Sequence, residues 1–294
     1  MTEYELMLAD RIGVIKDVIS KYGEGRFYIS FSGGKDSCVL SALVDEAVPG
    51  NRIPRVFINT GIEYNEIVRF VREREREDDR FVEIAPSKPI KRILEENGYP
   101  FKSKEHSRKV GQWQKGSRSP NIVKYAKGGE FGCPKSLMYQ MADWRGLKIS
   151  DECCHKLKKE SARRYERESG RSIAIIGIRM DEGGQRKNHP GCIVSKGGRV
   201  TKFKPLNVVP GGFEDWYIRE RGIKLCGLYG EPYNFERTGC KGCPYALGLE
   251  DQLRTMERYM PNERKQCEFI WKPVYEEYRR IGFRLGKSEQ LKLL

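Results

Sequence analysis

The chain predicts an α/β fold: a doubly wound, mainly parallel sheet with helices on both faces, followed by a mostly helical C-terminal lobe. Three observations carry this. Short apolar runs recur at 26–31, 55–59, 80–84 and 172–178. Segments of helical period stand between the first three, and strands alternating with helices are the pattern of βαβ units. The run Ile173-Ala174-Ile175-Ile176 is apolar at consecutive positions, as in strands covered on both faces.

The elements follow in order. The N-terminal twenty residues read as an amphipathic helix with Leu6, Leu8, Ile12, Val14, Ile15, Val18 and Ile19 towards a core. Strand one, at 26–31, leads through Ser32-Gly33-Gly34 into a helix over 36–47. Arg55–Asn59 is a second strand ending in Thr60-Gly61. Glu63–Glu77 is a charged helix with Ile67, Phe70 and Val71 on one face. Arg80–Ile84 is a third strand, closed by Pro86. Pro89–Asn97 is a helix stopped by Gly98 and Pro100. Residues 101–132, rich in Gly, Ser, Lys and Gln, read as a mobile basic loop, a candidate lid. Ser172–Ile178 is the fourth strand. The expected division is an α/β domain over 1–209, with the basic loop inserted, and a lobe over 210–294 carrying a C-x-x-C and the terminal helix.

Composition narrows the setting. A chain of 294 residues, 38% of them hydrophobic, can bury a sizeable core. No apolar run reaches the roughly 18 residues of a membrane-spanning helix. The acid-bearing amphipathic N-terminus is neither a signal nor a transit peptide. Nine cysteines, an odd number, without an export signal, point to a reducing cytoplasm and to metal or redox use over disulfides. The net charge is +14, and residues 86–165 hold 19 Lys/Arg against 8 Asp/Glu, so +11 of it lies there. With Trp113, Tyr125, Tyr139 and Trp144 among these basic residues, the segment is a candidate nucleic-acid surface. The plainer alternative is a set of solvated faces around a polyanionic nucleotide. Oligomeric state is not legible.

The chemistry begins at Ser32-Gly33-Gly34-Lys35-Asp36-Ser37. A strand that breaks into paired glycines and enters a helix is an anion-binding geometry. The glycines allow a tight turn and close approach, and the free N–H groups of the helix start bind the anion. Ser32, Lys35 and Ser37 add donors. The spacing is not that of the Walker loop. An ordinary Gly-rich turn is the bland alternative. Further along, Cys153-Cys154 and Cys240-x-x-Cys243 supply four thiols, enough for one zinc or one [4Fe–4S] cluster. Two unrelated thiol pairs are the alternative. Neighbouring cysteines chelate together only where the backbone is helical or bent.

SGGKDS resembles the PP-loop of the adenine-nucleotide α-hydrolases. The ordered set of motifs resembles more narrowly the phosphoadenosine/adenosine phosphosulfate (PAPS/APS) reductase family, in its iron–sulfur branch. That set is SGGKDS, Phe57-Ile58-Asn59-Thr60-Gly61, Cys153-Cys154 with Lys158, Gly177-Ile178-Arg179-Met180-Asp181-Glu182 with Arg186, Lys204-Pro205-Leu206-Asn207, Trp216-Tyr217-Ile218, and Tyr233 before Gly239-Cys240-x-x-Cys243. The resemblance implies an α-hydrolase-like fold and an adenine nucleotide (APS, PAPS or ATP, the last with Mg) held by Ser32, Gly33, Gly34, Lys35, Asp36 and Ser37. Asn59, Thr60, Gly61 and Gly177 would complete that site. It also implies a [4Fe–4S] cluster on Cys153, Cys154, Cys240 and Cys243, zinc being the alternative. Lys158 would couple cluster to anion, and Arg179 and Arg186 would pair with the negative groups as forked donors.

The pattern departs from the family at one place that matters. Reductases of this family use a mobile C-terminal cysteine, and this chain ends without one. Cys267 stands in roughly the right region as a nucleophile. Yet Cys267, Ile270, Trp271, Val274, Tyr278 and Ile281 share one helical face, which makes Cys267 a core residue instead. Met180 also replaces a second arginine, and Cys133 is an additional thiol of the basic region. Three functions follow: reduction of APS or PAPS to sulfite by way of a thioredoxin-like reductant, ATP-dependent adenylation in sulfur transfer to a nucleic acid, or a non-catalytic zinc and nucleotide-binding module. An exposed Cys267 favours the first, a buried one the second.

Overall fold

The alternation of Phe27 and Ile29 against Tyr28 sends successive side chains to opposite faces of a strand, and this strand lies at the centre of the sheet. In the computed structural model, which describes residues 1–142, 146–181 and 191–286, the chain forms two compact units interleaved along the sequence. The first comprises Met1–Asn59, Asn65–Ala85 and Ser161–Thr238, and the second Thr60–Tyr64, Pro86–Glu160 and Gly239–Leu294. The sequence led us to expect one boundary at 209/210. The stretch 210–238 belongs instead with the sheet, because Phe213 and Tyr217 are packed in the sheet core.

The first unit is built on β1 (Phe27–Phe31), β2 (Arg55–Ile58), β3 (Phe81–Ile84), β4 (Ile173–Ile175), β5 (Ile193–Lys196) and β6 (Arg199–Phe203), in the order β3-β2-β1-β4-β6-β5. All neighbours are parallel except β5 and β6. The register sets Ile29 beside Arg55 and Phe27 beside Ile173. β1 has β2 on one side and β4 on the other, so the strand order reverses there. Ligands of open α/β sheets bind at such a switch point, beyond the carboxyl ends of the strands. The antiparallel β5–β6 hairpin was not read from the sequence. Its strands are largely exposed and carry Lys, Ser, Arg and Thr, so they give no apolar run.

One face of the sheet buries Phe27, Ile29, Ile173 and Ile175 under α1 (Glu3–Tyr22), α2 (Lys35–Ala47) and α9 (Gly211–Arg221). α1 begins with a capping box between Thr2 and Glu5. It buries Leu8, Ile15, Val18 and Ile19, but Leu6 is 52% exposed. On the other face Tyr28 packs edge-on to Tyr165 of α8 (Glu160–Ser169) and donates to Glu166 at 2.8 Å. α3 (Asn65–Glu77) buries the three residues expected, Ile67, Phe70 and Val71.

The second unit is helical: α4 (Ile90–Asn97), α5 (Lys104–Gln114), α6 (Pro120–Ala126), α7 (Glu152–Cys154), α10 (Leu249–Tyr259) and α11 (Pro261–Ile281). Two of these occupy the segment expected to be a mobile loop. α5 is capped by Ser103, whose hydroxyl accepts from the His106 N–H at 3.2 Å, and Val110, Ile122 and Tyr125 are buried. Few apolar residues appear because buried polar groups take their place. Nε2 of His106 donates to Gln140 at 2.8 Å, and the Tyr125 hydroxyl donates to Nδ1 at 2.8 Å. Among the described residues no helix is long and apolar enough to cross a membrane.

Candidate active site

The loop after β1 is shaped by its two glycines. Gly33 has φ +71°, and a Cβ there would lie 2.9 Å from Ile67. A Cβ on Gly34 would lie 3.0 Å from the Thr238 hydroxyl and 3.2 Å from that of Tyr229. α2 starts at Lys35, so the loop amides stand at its N-terminus, where the helix dipole favours an anion. Their present partners are neutral hydroxyls: Gly34 N–H donates to Ser32 at 3.3 Å and Lys35 N–H to Tyr229 at 2.9 Å. The Ser37 hydroxyl ties the turn by donating to the Gly34 carbonyl at 2.8 Å and lies 3.2 Å from Ser32 Oγ. The ammonium of Lys35 pairs with Asp215 at 3.0 Å. A cavity of about 480 Å³ opens here, lined by Lys35, Asp215, Arg219, Tyr229 and Phe235 among others.

Two carboxyl groups meet behind the loop. Glu214 of α9 is fully buried, and its Oε2 accepts from Arg179 at 2.5 Å. Burial, with the negative charge of Asp36, pushes Glu214 up to about 8, while Arg179 opposes the rise. Burial and the neighbouring carboxylate thus both disfavour the charged form of Glu214. Arg179 is also held by Asp181 at 3.2 Å. Gly177 packs against the start of α2, where a Cβ would lie 2.9 Å from the Asp36 carbonyl oxygen. Asn59, at the end of β2, donates to Glu83 at 2.8 Å. Arg186 lies outside the described residues.

The second unit gathers the four cysteines and Lys158. Cys153 and Cys154 sit on the helical turn α7, where the Cys153 thiol donates to Cys154 at 4.0 Å. The helical backbone thus meets the condition for neighbouring cysteines to act together. That hydrogen bond, aided by Lys104 and Lys158, lowers Cys154 and raises Cys153. Burial pushes Cys243 up to about 12 and raises Cys240, which Lys158 opposes. Lys158 lies on a π-turn over His155–Lys159 and is raised chiefly by Cys240, to which it is hydrogen-bonded. The four thiols act on one another electrostatically. Among the described residues no three His, Cys, Asp or Glu side chains are arranged to hold a single metal ion. The donor set itself, four thiols beside a lysine, suits an anionic metal–thiolate group.

The sequence reading missed Glu63. Its Oε2 accepts from the Thr60 amide at 2.8 Å and hydroxyl at 2.6 Å, and its Oε1 lies 3.6 Å from Lys158. A chain of polar groups thus runs from Thr60 through Glu63 and Lys158 to Cys240. The Thr-x-x-Glu spacing of Thr60 and Glu63, a capping-box signature, was the available signal. Gly61 has φ +80°, and its carbonyl accepts from Gln266 at 3.3 Å.

Of the two readings of Cys267, core residue or nucleophile, its position matches the first. It is fully buried on α11, 3.9 Å from Met256 Sδ, and burial pushes it up to about 12. A thiol so placed stays protonated and out of reach. Cys38, Cys133 and Cys226 are likewise buried, and Cys192 is half-buried. Two of the aromatic residues counted towards a nucleic-acid surface have their rings engaged: Tyr125 is buried beside His106, and Arg280 lies over the Tyr139 ring at 5.2 Å. Trp113 is stacked by Arg118 at 3.7 Å, and Trp144 lies outside the described residues.

Comparison with known proteins shows the family. The family model of the phosphoadenosine phosphosulfate reductase domain matches residues 26–122 and 121–246. An uncharacterized protein of Methanocaldococcus jannaschii is 25% identical over 257 residues, which are 84% of this chain and 48% of that protein. The chain thus spans about half the length of this curated relative. Among solved structures, a PAPS reductase from Candida auris in a phosphate complex is 15% identical, with 78% of this chain and 91% of that one covered and a TM-score of 0.42. A U34-tRNA thiolase from Methanococcus maripaludis, solved with its [4Fe–4S] cluster, is 16% identical, with 97% and 82% covered and a TM-score of 0.39.

Proposed function

The chain belongs to the phosphoadenosine phosphosulfate reductase domain family, and from that membership we propose that it is an adenine-nucleotide enzyme of the adenylating kind, acting with ATP on an acceptor for sulfur transfer. The observation that carries the choice over sulfonucleotide reduction is the burial of Cys267. Reduction requires a thiolate free to attack the sulfur of the nucleotide. Of the thiols outside the two pairs, four are buried, and the half-buried Cys192 takes a hydrogen bond from Arg11 at 3.7 Å.

In this reading the amides of Gly34 and Lys35, with Ser32, Ser37 and the Lys35 ammonium, hold the phosphates. An acceptor oxygen attacks the α-phosphorus. The bond from that phosphorus to the bridging oxygen breaks, and pyrophosphate leaves with the electron pair, stabilised by these fixed donors. The raised value of Glu214 disfavours added negative charge behind the loop, where a polyanion would enter. Cys153, Cys154, Cys240 and Cys243 would hold a [4Fe–4S] cluster, which when bound would supply redox and sulfur chemistry. Lys158 then offsets the negative charge of the thiolates. The acceptor we infer is a nucleic acid, supported by the exposed Lys104, Arg108, Lys115, Arg118, Lys124 and Lys127.

The test is nucleotide product analysis on anaerobically purified protein given ATP, APS or PAPS separately, with a thiol reductant and thioredoxin. AMP and pyrophosphate from ATP alone support adenylation. Sulfite with AMP from APS, or with the 3′-phosphorylated product from PAPS, overturns it in favour of reduction.

A further inference from the structure

The CxxC turn is gripped by one stripe of one helix. Residues 263, 267, 271, 275 and 278 of α11 recur at intervals of four, four, four and three, so they share a face. The Trp271 ring N–H donates to the Lys241 carbonyl at 3.2 Å, the Tyr275 hydroxyl to the Gly242 carbonyl, and the Tyr278 hydroxyl to the Pro244 carbonyl at 2.9 Å. Glu263 takes the buried Lys241 ammonium at 3.0 Å. Cys267 fills the floor: a Cβ on Gly242 would lie 2.8 Å from its sulfur and fall on the Tyr275 hydroxyl. Gly242 has φ +60°, so glycine is required there for conformation and for space. On the far side the Lys241 N–H donates to the Ile62 carbonyl at 2.8 Å. Three aromatic tips reading the backbone of the turn and of the residue that follows it is more than packing needs. Apolar rings would fill the same volume without fixing where each carbonyl points.

We propose that α11 is the positioning element of the Cys240 and Cys243 thiols, with Trp271 and Tyr275 as its positioning residues. The proposal rests on the reading of these cysteines as ligands of an iron–sulfur centre. The turn's carbonyls are held from α11, so the two sulfurs keep their direction whether or not a metal is bound, and a site oriented beforehand loses its metal slowly.

The experiment compares wild-type protein with Tyr275→Phe and Trp271→Phe, each of which removes a donor and keeps a ring. Two readouts are taken beside a thermal melt: iron loss to a chelator from anaerobically reconstituted protein, and the rate of iodoacetamide labelling of Cys240 and Cys243 in the apo form, resolved by mass spectrometry. Melts close to wild type, with iron loss about tenfold faster, the usual size of an outer-shell effect, and with faster labelling of both cysteines, support the proposal. Variants that lose iron and label at wild-type rates overturn it. If the wild-type protein takes up no iron, the ligand reading fails and the labelling rates alone judge α11.

Discussion

Ser37 ties the loop after β1 through the Gly34 carbonyl; on the proposed phosphate site, Ser37→Ala should fold and lose turnover by about 100- to 1,000-fold, the cost of one oxyanion donor. Steady-state rates beside a circular dichroism spectrum check this. Glu214 gives a pH signature. Burial raises its value to about 8, and ionisation there adds negative charge that repels a polyanion. Nucleotide affinity, followed by calorimetry from pH 6.5 to 9, should fall above about pH 8 in the wild type and stay flat in Glu214→Gln. His106 acts on stability. Burial holds it at about 4, below its ordinary value of 6.5. Its neutral form is therefore fully stabilising above pH 6.5, and that contribution is lost as pH falls through 4, on the order of 3 kcal/mol in all. Urea melts at pH 7 and pH 4.5 should show a larger acid loss for the wild type than for His106→Gln.

At the scale of elements, β2 begins on a buried cation. The Arg55 side chain is wholly covered and meets Asp45 at 2.6 Å, with further bonds to Ser41 and Asn51. Asp45→Ala leaves that charge uncompensated and should cost about 3 kcal/mol in a denaturant melt. The apolar run of β2 announced a strand, but nothing local told that Arg55 turns inward, because its partners lie on another element and a loop. The helices α5 and α6 were hidden for a related reason. Their buried surface includes His106 and Ser107, polar residues whose burial depends on Tyr125, Gln140 and the Phe101 backbone. Periodicity of apolar residues cannot register a polar core.

For the whole molecule, an acceptor nucleic acid makes a distinct demand. Binding carried by the exposed cations of residues 104–127 should weaken linearly in log Kd against log salt. Charge reversal at Lys115, Arg118 and Lys124 should reduce that slope without changing ATP affinity. Fluorescence anisotropy with a labelled oligonucleotide reads both, and an unchanged slope would remove this surface from the argument.

What the sequence by itself determined were the features written in neighbouring residues: a strand breaking into Gly33-Gly34 ahead of a helix, the order of β1 to β4, the two cysteine pairs and Lys158 one helical turn beyond Cys154. Their signals are legible because steric freedom, periodicity and spacing act along the chain. Only the tertiary structure decided that 210–238 packs with the sheet, that Glu214 and Arg179 lie behind the anion loop, that Glu63 links Thr60 to Lys158, and that Cys267 underlies Gly242 out of solvent. The physical reason is the same in each case. Whether a charge is paired or a thiol is reachable depends on groups brought from distant positions, and the energy of burying them is set by those neighbours and not by the residue itself.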